Sequence, residues 1–301
     1  EAIRISEISH AVDTCMREQI TVNATVRRAG KVLDLTVIIM RNQETGKASG
    51  AIIVLGDFTE MVRLQKIRTD FVANASHELK TPIAAIRGFA ETIIDDPDMP
   101  EDTRDHFMER VRSQASRLDS IVQNLIHLSR YDSPIDLSAD SAFNLVSLAN
   151  QVFKAKSEDA LDVGVTMELG LPGYPIEIEG DRGGFEQMIS NLLDNAIKYT
   201  RVGDGQVALR VTTVGEIALI EVEDNGIGIA DKEQRRIFER FYRIDRARSR
   251  DKGGTGLGLS IVKHVAQSHK GSVSVASQEG QGTTFSVRIP FNRVTAAEDQ
   301  E

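Results

Sequence analysis

The sequence predicts an α+β multidomain chain: a small antiparallel sheet, a helical hairpin that pairs into a dimeric four-helix bundle, and an α/β sandwich. Three observations carry this. β-branched runs alternate with turn residues over the first sixty positions, and a long apolar repeat at steps of three and four then follows, broken once by "DDPDMPED" (95–102). Beyond residue 141, helical and strand-like stretches alternate. With 301 residues, 41 % of them hydrophobic, the chain has material for two or three cores.

The runs "QITVNATVRR" (19–28), "KVLDLTVIIMR" (31–41) and "ASGAIIVLGDF" (48–58) are read as three strands in meander order, with turns at "AGK" and "NQETGK". From Phe58 the period becomes helical, with Leu64, Ile67, Phe71, Ala75, Leu79, Pro82, Ile86, Phe89 and Ile93 on one stripe. A second run carries Phe107, Val111, Gln114, Leu118, Ile121, Leu125 and Leu128. Two such helices with a short connection make an antiparallel hairpin. Its narrow apolar seam is too long for two helices to cover, so two hairpins should pair as a homodimer. After the linker "YDSPIDLSADS" (131–141) the order helix, strands, helix, strands, helix, two strands predicts the sandwich.

Charge and composition exclude several classes. A net charge of -9 argues against a nucleic-acid surface, which needs clustered Lys and Arg. The single cysteine, Cys15, excludes an intramolecular disulfide framework and a multi-cysteine metal site. The longest apolar stretches, such as "GAIIVLG" (50–56), fall far short of the roughly 18–20 residues that cross a bilayer. The chain opens on Glu1 without an initiator methionine or signal peptide, which reads as a processed form or a piece of something longer.

The chemistry begins at "SHELKTP" (76–82). His77 lies two positions, about 200°, from both Ala75 and Leu79, so it points away from the seam. Its neighbours one turn away, Ala73, Asn74, Thr81 and Ala84, are small and leave room for a large partner. Glu78 can accept from one ring nitrogen and leave the other as a nucleophile, and Pro82 is expected to kink the helix just past the site. Taken alone, this is also how a solvated surface histidine looks. Four later stretches carry nucleotide chemistry. "NLLDNAIKYT" (191–200) sets Asn191 and Asn195 one helical turn apart with Lys198 nearby, a pairing of hard amide oxygens and a point charge that suits Mg²⁺ and phosphate. "EDNGIGI" (223–229) ends an apolar strand with an acid able to accept from an exocyclic amine, beside glycines that let the backbone approach a flat ring. "GGTGLGLSIVKHV" (253–265) is a glycine-rich turn entering a helix, where free N–H groups bind phosphate, though it is neither a P-loop nor a dinucleotide fingerprint. "EGQGTTFSVRIP" (279–290) is a Gly-x-Gly turn into a terminal strand, and "FERFYRIDRARSRDKGG" (238–254) suits a lid over a triphosphate. The remaining histidines, His10, His106, His127, His264 and His269, read as structural or solvated.

The ordered stretches "SHELKTP", "NLLDNAIKY", "DNGIGI", "FERFYR", "GTGLGL" and "GQGTTF" resemble the H, N, G1, F, G2 and G3 boxes of the sensor histidine kinases of two-component systems, over roughly residues 60–291. Residues 19–60 resemble the last strands of a PAS sensor domain, and the whole is similar to phosphate-regulon-type kinases. The resemblance implies a partial PAS-like domain and linker (1–60), a dimerisation and histidine-phosphotransfer hairpin (61–132), a catalytic ATP-binding domain of the GHKL (Bergerat) type (133–293) and an acidic tail (294–301). It implies His77 as phosphoacceptor and Glu78 as general base. Asn195 would hold Mg²⁺ against ATP, with Asn191, Lys198 and Tyr199 around it, and Asp224 would read the adenine amino group. Gly226 and Gly228 would shape the base pocket, Gly254, Thr255, Gly256, Leu257 and Gly258 the phosphate side of the lid, and Arg243 and Arg246 would reach the γ-phosphate. Thr81, in the "HExxT" pattern, implies a phosphatase activity on the partner.

The implied partners are a second copy and a response regulator, with no nucleic acid, and a membrane only through N-terminal segments missing from this chain. Such a chain would be the cytoplasmic portion of an inner-membrane sensor kinase. One departure, Gly183-Gly184, predicts a frayed start to the helix that carries Asn191. Two alternatives stay open at this point: a gyrase- or chaperone-like ATPase without phosphohistidine, and a degenerate kinase acting only as a nucleotide-binding dimer scaffold. An acid-labile, alkali-stable label on the protein separates both from the kinase.

Overall fold

The computed structural model describes residues 5–28, 30–44, 46, 48–131, 142–201, 203–244 and 255–291. Contacts divide the chain into two units, 1–76 and 77–301.

In the first unit, strands β1 (Val22–Arg28), β2 (Lys31–Arg41) and β3 (Ala48–Asp57) form an antiparallel sheet in the expected meander order. Leu35 and Val37 point to one face and are fully buried there. They are covered by Ala11 and Cys15 of helix α1 (Ile5–Glu18), an element the sequence reading did not name. Its apolar residues Ile8, Ala11, Val12 and Cys15 recur at steps of three and four and form the face that packs on the sheet. Helix α2 (Thr59–Asp95) starts directly after β3. The Asp57 carboxylate accepts from the Thr59 N–H at 3.0 Å and also from the Thr59 hydroxyl, and these bonds hold its pKa below the usual carboxylate value.

In the second unit, the remainder of α2 faces α3 (Glu101–Tyr131). The chain reverses at 96–100, so Phe89 meets Phe107 with ring centroids 5.8 Å apart. Of the expected stripe, Pro82 and Ile121 are buried and Leu79, Ile86, Phe89, Phe107, Val111 and Leu118 are half-buried, while Leu64 and Ile67 near the start of α2 are exposed. α2 continues in helix through Pro82, whose missing N–H leaves the Glu78 carbonyl without its helical donor.

The sandwich has a five-stranded sheet in the order β5-β7-β8-β10-β9, built from β5 (Thr166–Gly170), β7 (Gln206–Val214), β8 (Ile217–Asp224), β9 (Ser272–Gln278) and β10 (Gly282–Pro290). Only the β5–β7 pair is parallel. A separate ribbon joins β4 (Ala142–Asn144) to β6 (Glu177–Glu179). Alternation along β8 and β10 buries Ala218, Ile220, Val222, Phe285, Val287 and Ile289. Helices α4 (Leu145–Asp162), α5 (Arg182–Tyr199) and, after the short α6 (Asp231–Gln234), α7 (Gly258–Ser268) supply the other layer, with Leu148, Phe185, Met188, Leu192, Ile261 and Val265 fully or almost fully buried. Most of the linker, 132–141, lies outside the described residues.

The fraying expected at Gly183-Gly184 is not seen. α5 is helical from Arg182, and the Asp181 carbonyl accepts the Phe185 N–H at 3.0 Å across both glycines. What pins this turn is His269. Its Nε2 accepts from the Asp181 N–H at 3.2 Å, its Nδ1 lies 2.8 Å from the Val265 carbonyl, and its ring packs edge-on against Phe185 at 4.8 Å. One nitrogen accepts, so the neutral Nδ1–H tautomer satisfies both bonds. Gly180 makes room for that ring: its φ is +149°, and a Cβ there would lie 2.2 Å from His269 Nε2. Gly180→Ala should therefore lower stability by roughly 2–4 kcal/mol, the sum of a strained backbone and a displaced buried hydrogen bond. Urea denaturation measures it, and an unchanged midpoint would mean that the ring moves aside freely.

Candidate functional site

Two places in the second unit carry the residues singled out above. The first is on α2. His77 is exposed, as are Ala73, Asn74, Thr81 and Ala84 around it, and its ring makes no hydrogen bond to any described residue. Successive helical residues point about 100° apart, so when His77 faces solvent Glu78 faces α3. There Glu78 Oε2 lies 3.4 Å from Nη2 of Arg117. The structure thus corrects the expected Glu78–His77 contact: the carboxylate is held across the hairpin, not by the imidazole. The Thr81 hydroxyl donates to the His77 carbonyl at 3.2 Å, one turn back, and keeps its lone pairs for an outside donor.

The second place lies around the end of β8 and the start of α7. Asp224 is buried as the last residue of β8, where its Oδ1 accepts the Gly226 N–H at 2.8 Å. Burial pushes its pKa up to about 6, partly offset by the N–H groups of Gly226 and Thr283. A Cβ on Gly226 would stand 2.2 Å from the Tyr199 carbonyl, which also accepts the Ile227 N–H at 3.2 Å. Gly228, at φ +68°, would collide with the Gln278 carbonyl at 2.0 Å. The end of α5 and the "DNGIGI" turn are therefore in contact because side chains are absent there.

On α5, Asn191 is buried; its Oδ1 accepts from Gln187 Nε2 at 3.3 Å, and its Nδ2 is buried without a partner. A Cβ on Gly258 would lie 3.2 Å from that Oδ1, so Asn191 stands directly beside the first residue of α7. Asn195, one turn on, is half-buried and its amide bonds to no described residue. Lys198 Nζ lies 5.2 Å from the centroid of the Tyr199 ring. Buried Leu257 precedes α7, which has no side-chain cap, so its first N–H groups are available to an anion. The Leu257 N–H does reach Thr255 Oγ1, at 3.3 Å. Gly256, at φ +72°, would bring a Cβ within 2.8 Å of the Phe241 backbone, and its carbonyl accepts the Phe241 N–H at 2.8 Å.

Tyr242 bonds the Glu233 carboxylate and lies under the Arg236 guanidinium, 4.2 Å from ring centroid to Cζ, which ties down the start of the arginine-rich stretch. Arg243 is half-buried, whereas Arg246, Gly254 and the rest of 245–254 lie outside the described residues. Two further residues of this place come from "GQGTTF". Thr283 pairs in register with Asp224 and gives its N–H to that carboxylate, and Gly282, at φ +116°, would put a Cβ 2.0 Å from the Asp224 carbonyl.

Two family models match the segments that hold these places. Residues 67–134 match the His Kinase A (phospho-acceptor) domain, and residues 180–293 match the histidine kinase-, DNA gyrase B- and HSP90-like ATPases. The sensor-like histidine kinase SenX3 of Mycolicibacterium smegmatis is 41 % identical over 80 % of this chain and 62 % of its own length. The sensor histidine kinase WalK of Bacillus subtilis is 34 % identical over 83 % of this chain and 41 % of its own. The chain thus spans between two fifths and two thirds of these relatives. Among solved structures, the Acinetobacter baumannii histidine kinase AdeS matches 72 % of this chain and 98 % of its own, with 28 % identity and a TM-score of 0.56. The histidine kinase ThkA, crystallised with the response regulator TrrA, covers 95 % of this chain and 83 % of its own at 21 % identity and a TM-score of 0.58, which speaks to the fold. Among the described residues no helix is long and apolar enough to cross a membrane.

The raised pKa of Asp224 gives a test of the second place. Its folded value near 6 exceeds the roughly 4 of an unfolded aspartate, so its stabilising contribution is full below pH ~4 and is lost as pH rises through ~6. Asp224→Asn removes that loss. Without nucleotide, the stability of the variant relative to the parent, from urea melts, should rise by roughly 2–3 kcal/mol between pH 4 and 7.5. A difference that stays constant with pH would show an unshifted carboxyl.

Proposed function

Because this chain belongs to the sensor histidine kinases of two-component systems, with a phospho-acceptor segment and an ATPase segment in tandem, we propose that it transfers the γ-phosphoryl group of ATP to His77 and then to an aspartate of a response regulator. The observation that carries the reading is the exposed His77 ring, without a hydrogen-bond partner among the described residues, in the same chain as a buried acid in a glycine-lined turn. In the first step a ring nitrogen of His77 attacks the γ-phosphorus; the P–N bond forms, the P–O bond to ADP breaks, and Glu78 takes the ring proton. In the second step the P–N bond breaks as the aspartate oxygen takes the phosphoryl group.

The pocket fits a nucleotide. Asp224 is assigned to the adenine amine, Gly226 and Gly228 shape its surroundings by letting the Tyr199 and Gln278 backbone approach, and the uncapped start of α7 with Thr255, Gly256, Leu257 and Gly258 offers N–H groups to phosphate. Asn195, whose amide no described protein group engages, is assigned to Mg²⁺, with Asn191, Lys198 and Tyr199 beside it. When bound, the ion neutralises charge on the triphosphate. Arg243, Arg246 and Gly254 belong to the same reading, on the lid. The half-covered seam of α2 and α3 is assigned to a second copy, giving a homodimer. Boundaries at 60, 132 and 293, and an origin as the cytoplasmic portion of an inner-membrane kinase, complete the proposal.

His77→Ala should abolish acid-labile labelling from [γ-³²P]ATP while nucleotide binding persists; Asn195→Ala should lose the Mg²⁺-dependent label with His77 intact. Label surviving in a folded His77→Ala protein sinks the assignment, and normal labelling of Asn195→Ala moves the metal elsewhere.

Thr81 decides the direction of flux. Its hydroxyl shares the His77 face, where it can orient water toward a docked phosphoaspartate. Thr81→Ala should leave His77 labelling within about twofold but slow the decay of phospho-regulator roughly tenfold, since only positioning is lost. A half-life equal to that with the parent protein makes the hydroxyl's bond to the His77 carbonyl its whole role.

A further inference from the structure

The contact between Glu78 and Arg117 is not used by the function described above. Arg117 sits on α3 one position before the seam residue Leu118, on the covered side of the hairpin, with its side chain only 12 % exposed. A largely covered position of this kind ordinarily holds an apolar residue, because burying a guanidinium costs more than a single ion pair returns. The cost is visible here: Arg117 Nε is buried with no hydrogen-bond partner. Exposed ion pairs contribute little, but this one is substantially removed from water, with Glu78 28 % exposed. Its carboxylate belongs to the residue next to the exposed histidine. Nη2 engages Oε2 alone, and among the described residues Oε1 has no partner.

We propose that Arg117 is a positioning residue for the phosphorylation of His77: by anchoring Oε2 it fixes the Glu78 carboxylate on the α3 side of the helix, so that Oε1 is the oxygen presented toward the imidazole when the ring turns to react. A glutamate has three rotatable bonds before its carboxylate, and without an anchor across the hairpin it samples solvent-facing rotamers in which neither oxygen is near the ring. The inference rests on the reading of His77 as the acceptor and of Glu78 as its base. It adds a residue 39 positions away that acts only through Glu78.

The test follows the initial rate of acid-labile label from [γ-³²P]ATP in the full chain, for the parent, Arg117→Met, Arg117→Lys, Glu78→Gln, the Glu78→Gln/Arg117→Met pair and His77→Ala. Arg117→Met should slow labelling at saturating ATP by roughly ten- to a hundredfold, the worth of one charge-assisted hydrogen bond, with KM for ATP unchanged. Arg117→Lys should recover part of the rate, since it restores one donor without the fork. The double variant should be no slower than Glu78→Gln alone. Labelling of Arg117→Met at or above the parent rate overturns the proposal, and so do effects that multiply in the double variant. If circular dichroism shows Arg117→Met unfolded, Arg117→Lys and Arg117→Gln carry the same comparison with Glu78→Gln. Label retained in His77→Ala would instead remove the acceptor reading, an outcome separable from any behaviour of Arg117.

Discussion

The buried carboxylate of Asp224 is the constraint on which the α/β sandwich depends. β8 is the central strand of five, so its last residue has a neighbour on each side, Val207 of β7 and Thr283 of β10. That position takes an acid out of water, and burial raises its pKa to about 6. It remains tolerable because backbone donors, not side chains, meet the charge: the N–H groups of Gly226 and Thr283. Backbone can come so close only where side chains are missing, and the close approaches at Gly226, Gly228 and Gly282 follow from it. The same turn seals the end of α5 against β8 through the Tyr199 carbonyl, so the acid and the helix of Asn191 and Asn195 are fixed by one set of contacts.

The helical half solves the opposite problem, keeping the His77 ring in water while burying as much of its helix as it can. The 3.6-residue repeat does this without special chemistry, since Ala75, Leu79 and Pro82 turn inward while His77 turns out. Residue 78 then falls between the two faces, close enough to α3 for its carboxylate to be held by a largely covered arginine. An exposed histidine and a restrained acid are thus consecutive in sequence but occupy different environments.

Much of this was legible in the sequence where the signal is local. The strand run 31–41 is found as read, the exposure of His77 and of its small neighbours follows from periodicity alone, and the ordered boxes point to the residues around Asp224 before any contact is known. Backbone propensity and spacing act over a few residues, so a single chain displays them. Tertiary structure decided what depends on approach through space. What α1 covers is decided by the sheet, where Leu35 and Val37 meet its stripe of Ile8, Ala11, Val12 and Cys15. Glycines at 183 and 184 did not fray α5, because His269, 88 residues beyond Asp181, holds the first turn. Glu78 took Arg117 in place of His77, and Gly282 proved to matter because β10 lies beside the end of β8. Those outcomes turn on distances between residues far apart in the chain, which residue type and spacing leave open until the backbone has closed around them.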